Sequence, residues 1–302
     1  MTSLTPNQRA WQRFHRNRLA RLSAWFLAAV VLVVLIWPLI SPHDPDALSD
    51  DQFQPPSLQH WFGTDVHGRD VFTRVLYGAQ ISLLVGIVGA GVSLVIGVTW
   101  GATAGYLGGR TDSMMMRFVD ILYSLPSIIF VIVLITTLEE ILKNWLGAMG
   151  SPTLAKSARL LFLFVGLGAV SWLTMARIVR GQVLSLRSRQ FVDASRALGA
   201  GPVWILRRHI IPNVLGVVIV YLTLTVPAII LYESFLSYLG LGIQPPMASW
   251  GSLIAEGAEQ INPIRIYWWL IIFPGGVLVA TLLALNFLGD GLRDAWEVRG
   301  GS

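Results

Sequence analysis

Cysteine is absent from this 302-residue chain, which rules out disulfides, a thiolate nucleophile and any cysteine-held zinc. Charged residues are scarce as well, at 13% against 54% hydrophobic residues, with a mean hydropathy of +0.62. Globular domains in water carry about 25% charged residues, so a chain solvated on all sides is excluded. There is no G-x-x-x-x-G-K-[ST] phosphate loop, and any energy drawn from ATP must therefore enter through another subunit. The five histidines (His15, His43, His60, His67 and His209) include no i, i+4 pair that would set two ligands on one helical turn. Neither a metal site nor another cofactor is expected. No acid, histidine and serine cluster of the kind a membrane-bound enzyme needs stands out either.

What the chain has is long apolar runs. A helix needs about 20 mostly apolar residues to cross the hydrocarbon of a bilayer. Six stretches qualify, at 22–40, 81–104, 121–138, 160–176, 214–231 and 267–288, and none contains a charged residue. An all-α polytopic membrane protein follows, without the intramembrane acids of a proton relay or the arginine series of a voltage sensor. The run at 22–40 is longer than a signal-peptide core, and Trp37-Pro38-Leu39-Ile40-Ser41-Pro42 lacks a small-residue cleavage pattern, so it reads as a first helix that stays attached.

The net charge of +5 points to membrane orientation, not to nucleic acid. With the N-terminus inside, the inner segments 1–21, 105–120, 177–213 and 289–302 hold 16 of the 22 Arg and Lys residues. The opposite arrangement would place that basic charge outside, so both termini are expected in the cytoplasm. The organisation is then an inner tail (1–21), a first span (22–40), an outer loop (41–80), a five-helix core (81–288) containing the inner loop 177–213, and an inner tail (289–302). Within the outer loop, Asp70 to Tyr77 mix apolar and charged residues at helical spacing, which predicts an amphipathic helix on the outer membrane face.

Small residues recur every fourth position in the second stretch, at Gly89, Ser93, Gly97, Gly101 and Gly105. They line one helical face and predict close approach of another backbone, which locates a packed helix and not a substrate site. Pro126, Pro227 and Pro274 stand inside the third, fifth and sixth stretches and predict kinks. Asp120 and Glu233 fall at the ends of spans, where charged residues ordinarily reach water, and neither is assigned to substrate.

The loop 177–213 is the most informative segment. Phe191, Ala194, Ala197 and Leu198 fall at i, i+3, i+6 and i+7 and form an apolar stripe beside an arginine-bearing face. Gly199-Ala200-Gly201 then stops the helix, and Pro202 suits the first turn of the next. The residues alone leave two readings open: a docking element for a partner, or a hairpin held on anionic membrane lipid by Arg187, Arg189, Arg207 and Arg208.

This segment resembles the signature loop of permeases of the ATP-binding cassette importers, whose pattern is Glu-Ala-Ala, three residues and Gly, then Ile and a later Pro. Here it reads Asp193-Ala194-Ser195, then Gly199, Ile205 and Ile211-Pro212, with Asp for Glu and Ser for the second Ala. Other stretches resemble the dipeptide, oligopeptide and nickel permeases. They are Gly63-Thr64-Asp65-Val66-His67-Gly68-Arg69-Asp70, Gly105-Tyr106-Leu107-Gly108-Gly109, Glu233 to Gly242 and Gly289-Asp290-Gly291-Leu292-Arg293-Asp294. Trp172 to Gln182 is most similar to the C-type subunit of the oligopeptide permease.

The resemblance implies a type I importer permease in the bacterial inner membrane, supplying half of a path for oligopeptides. It implies four kinds of partner: a second homologous permease subunit, two cytoplasmic ATP-binding subunits, an extracytoplasmic peptide-binding protein and membrane lipid. It places Asp193, Ala194, Ser195 and Gly199 at the contact with an ATPase subunit. A permease for dipeptides, nickel or microcin-like peptides is the nearest alternative; a passive channel leaves the hairpin at Asp193–Pro212 unexplained.

Overall fold

The computed structural model describes residues 6–148, 152–245 and 247–296, and the side chains of residues 6, 7, 9, 135, 138–140 and 142–164 lie outside that description. Its regular elements are helices: α1 (Pro6–Arg16), α2 (Arg18–Ile40), α3 (Val71–Leu107), α4 (Gly109–Ser124), α5 (Ser127–Ala148), α6 (Pro152–Arg187), α7 (Gln190–Ala197), α8 (Pro202–Ile205), α9 (Ile211–Tyr238), α10 (Trp250–Glu259) and α11 (Trp269–Trp296). Among the described residues four helical segments are long and apolar enough to cross a bilayer: α2, α3, the run Pro202–Tyr238, and α11. A fifth crossing requires α4 and the start of α5 together. The remaining expected stretch, 160–176, lies within α6.

The third expected span is not one kinked helix. α4 and α5 meet at 93° around Leu125 and Pro126. Pro126 disfavours helical backbone at the residue before it, and Leu125 is extended (φ −79, ψ 138). The apolar stretch at 121–138 is therefore divided between two helices.

The amphipathic stretch Asp70–Tyr77 is likewise not a separate helix on a membrane face. Val71 opens α3, which runs unbroken for 37 residues. At about 1.5 Å per residue it is some 55 Å long, well beyond the roughly 30 Å of hydrocarbon. The added turns carry Val71, Thr73, Arg74 and Val75, all buried by protein. α2 shows the opposite environment. Asn17 caps it by accepting the Ala20 amide at 3.2 Å, and its apolar side chains, Trp25 and Leu39 among them, point outward as a lipid-facing helix requires.

Contacts divide the chain into two compact units. One is built mainly from Val88–Val226. Here the small-residue row of α3 lies against α6. A methyl added at Gly97 would meet Met175, one at Gly101 the carbonyl of Ala176, and one at Gly105 Val183. The row is thus a close helix–helix seam, as its spacing predicts. Beside it Ala102, Tyr106, Val179, Val183, Val192, Ile205, Ile210 and Val214 form one apolar core.

The other unit comprises Trp11–Ile87 and Pro227–Gly291. Its centre is Trp250, fully buried, whose indole N–H donates to the Val75 carbonyl at 3.1 Å. Phe62 stacks on Phe273 at 4.0 Å, and the Trp269 indole donates to the Thr64 carbonyl at 3.2 Å, fastening the loop after α2 onto α11.

Candidate functional site

The helix–turn–helix expected between the fourth and fifth apolar stretches is present, and its turn is built by backbone chemistry. α7 ends in a Schellman motif: the Ala200 amide donates to the Ser195 carbonyl (3.0 Å) and the Gly199 amide to the Arg196 carbonyl (2.9 Å). The motif needs a left-handed residue at the second of these positions, and Gly199 sits at φ +82. Pro202 opens α8, and a single wide turn at Leu206–Ile210 leads into α9. Pro212 has no N–H to continue the ordinary i, i+4 ladder, and the Ile211 amide reaches back five residues to Leu206.

The stripe read from the sequence faces outward. Phe191, Ala194, Ala197 and Leu198 are exposed, Leu198 at 88%. What roots α7 is Val192, at 0% exposure within the core of Tyr106, Val183, Ile205 and Ile210. Sequence reasoning missed it because Val192 lies off the stripe, next to Phe191. The Arg196 guanidinium lies 5.4 Å over the Tyr106 ring, and Arg187 donates to the Tyr106 carbonyl at 3.1 Å. Ser195 spends its hydroxyl on the Phe191 carbonyl at 2.8 Å. Asp193 is mostly exposed and 3.2 Å from Arg196. The four residues singled out by the sequence thus share one short segment: Asp193, Ala194 and Gly199 lie on its open side, and Ser195 is half-buried.

α6, which leads into this segment, is pinned to α4 by two ion pairs. Arg180 grips Asp112 with two parallel hydrogen bonds, 2.5 and 2.7 Å, and Arg177 reaches Asp120 at 2.7 Å while lying 4.0 Å over Tyr123. The Asp112 hydrogen bond raises the Arg180 pKa above its ordinary value.

In the other unit, Gly63–Asp70 form a structural knot. Asp65 accepts the amides of His67 (2.8 Å) and Arg69 (3.0 Å), the Arg69 Nε (2.7 Å) and the Arg74 guanidinium (2.8 Å). Arg74 also donates twice to Glu256, at 2.6 and 3.1 Å. Glu233 does not reach water. It is fully buried in α9 and accepts from Ser237 (2.6 Å) and Ser82 (3.2 Å).

Comparison with known proteins agrees with this architecture. Residues 97–299 match the family described as binding-protein-dependent transport system inner membrane component, and residues 5–56 match the N-terminal TM domain of oligopeptide transport permease C. The chain is 44% identical to the dipeptide transport system permease protein DppC of Bacillus subtilis (strain 168), over 98% of this chain and 86% of that protein. It is 45% identical to the oligopeptide transport system permease protein OppC of Escherichia coli (strain K12), over 96% of this chain and 90% of the other. A chain of the MetNI methionine ABC transporter in inward-facing conformations shares the fold, with TM-score 0.55 and 20% identity over 72% of this chain and 94% of that one. The molecule is a membrane-embedded subunit of an importer, with no catalytic chemistry of its own. It belongs to the binding-protein-dependent transport system inner membrane components, which work with ATPase and substrate-binding partners.

Proposed function

We propose that this chain forms one half of a translocation path for oligopeptides in the bacterial inner membrane, paired with a second, homologous permease subunit. Two cytoplasmic ATP-binding subunits drive it, and an extracytoplasmic binding protein delivers the peptide. The segment formed by α7 and its turn, with Asp193, Ala194, Ser195 and Gly199, is the contact for an ATPase subunit. The observation that carries this reading is the combination of an apolar helix face turned outward and one buried valine rooting that helix in the core. A short helix rooted in the core transmits a push as a lever; a loose loop would absorb it. The peptide substrate is supported by the names of the relatives, both dipeptide and oligopeptide permeases.

Reconstitution of the permease pair with its ATPase subunits in proteoliposomes tests the reading. Binding protein loaded with oligopeptide should raise ATP hydrolysis and load the vesicles with peptide, while dipeptide and nickel ion should not. Stimulation by nickel ion or dipeptide alone would move the substrate to that class, and no stimulation by any of them would defeat the peptide assignment.

The arginine distribution supports both termini in the cytoplasm. Because the chain has no cysteine, single ones can be introduced without background. Leu58→Cys, at a position 97% exposed, should react with an impermeant maleimide on intact spheroplasts, and Ser188→Cys only after lysis. The reverse labelling would invert the topology.

A further inference from the structure

We propose that His43, His60 and Asp70 form a binding site for one divalent transition-metal ion of the Zn2+ class. The sequence conceals the site because its ligands are 17 and 10 residues apart in a loop, not one turn apart on a helix. Folding brings one ligand atom from each to within 4.8 Å of the others. The His60 Nδ1 and the Asp70 carboxylate are already 2.9 Å apart, and the His43 and His60 rings lie 5.0 Å apart at 35°. Tetrahedral Zn2+ with bonds of about 2.0–2.1 Å spaces its donors roughly 3.3 Å apart. Small side-chain rotations therefore close the triad.

The backbone of each histidine and the carboxylate of Asp70 are each fixed by local hydrogen bonds. Ser41 Oγ donates to the His43 carbonyl (2.8 Å) and accepts the His43 amide (3.1 Å). Ser57 Oγ accepts the His60 amide (3.0 Å), and the Ser57 amide donates to the His60 carbonyl (2.8 Å). Asp70 keeps one oxygen on the Thr73 amide (2.8 Å), which caps α3, and turns the other toward His60. Asp70 is buried and the two imidazoles are half-buried, so the carboxylate is fixed while the metal can enter from solvent.

Two imidazoles and one carboxylate suit Zn2+, Co2+, Ni2+ or Cu2+ better than Ca2+ or Mg2+, which take oxygen donors. Three protein ligands leave one position for water. Bound metal would clamp the loop after α2 onto the first turn of α3. The proposal is independent of what the chain transports.

The test uses the full-length chain in its assembled complex, carrying no polyhistidine tag, with Co2+ as the probe. Expected is one more Co2+ per complex than in the His43→Ala/His60→Ala form, with the visible absorption of four-coordinate Co2+, displaced by Zn2+. Each single variant, His43→Ala or His60→Ala, should weaken binding at least about tenfold. Asp70→Asn should do the same while keeping the helix cap, and His67→Ala should change nothing. Zn2+ should raise the melting temperature of the wild type and leave that of the double variant unchanged. Equal Co2+ uptake by wild type and double variant, or a colourless complex, would overturn the site and leave His60–Asp70 as a hydrogen bond alone.

Discussion

Membranes carrying Gly199→Arg are expected to contain the normal amount of this chain and to import no peptide. The substitution separates two roles of the α7 turn. Nothing lies within 4 Å of where a side chain at Gly199 would begin, so an arginine finds room without disturbing the core. Its cost is the left-handed backbone at φ +82, about 1–2 kcal/mol for a residue with a side chain. That strain falls on the Schellman cap, not on the Val192 root, so the helices still insert and pack. The outward face changes completely. A long cation projects from the end of α7, beside the exposed Leu198 and near Arg196, on the face where an ATPase subunit is proposed to close. Gly199→Asn tolerates the same φ with a short neutral side chain and should retain most uptake. Immunoblots of membranes, peptide uptake and substrate-stimulated ATP hydrolysis give the three readouts. Normal uptake by Gly199→Arg would remove α7 from the coupling path; loss of the chain from the membrane would show that Gly199 serves folding.

The sequence made legible whatever depends on local pattern. The apolar runs of α2, α9 and α11 are long enough to identify themselves, and the Gly89–Gly105 row located a seam whose partner, α6, no period could name. The α7 break is legible because glycine and proline act on their own backbone. What escaped depends on residues far away in the chain. Arg74 reads as the polar face of a surface helix until Glu256, 182 residues later, turns it inward. Glu233 reads as an interfacial acid until Ser82, 151 residues earlier, meets it. The outward turn of the Phe191–Leu198 stripe escaped for a related reason. Periodicity shows that a face is apolar, and only the position of Val192 and its core neighbours shows which face the protein keeps. His43 and His60 are invisible as a pair because loop folding, not helical repeat, joins them.

Arg74→Ala is expected to be strongly destabilising to the unit that holds Asp65 and Glu256. The Arg74 and Asp65 side chains are 4% and 8% exposed and 2.8 Å apart, so each is shielded from water and satisfied by the other. Removing one partner of a buried pair leaves an uncompensated charge and costs about 3–5 kcal/mol, far more than the pair contributes relative to an apolar replacement. Arg69 offers partial relief, because its Nε already meets Asp65 at 2.7 Å and its Nη2 meets Glu256 at 3.2 Å. The Glu256 side chain is 34% exposed and can be solvated, so the Asp65 arm carries most of the loss. The melting temperature in detergent should fall on the order of 10 °C. Arg74→Lys should recover only part, since a lysine cannot span both carboxylates with a planar fork. Added salt should leave these differences nearly unchanged, as burial excludes screening ions. A melting temperature for Arg74→Ala within about 2 °C of wild type, under one kcal/mol by the same conversion, would mean that water reaches the knot. The Gly63–Asp70 loop would then be held by Trp269 and Phe273 instead.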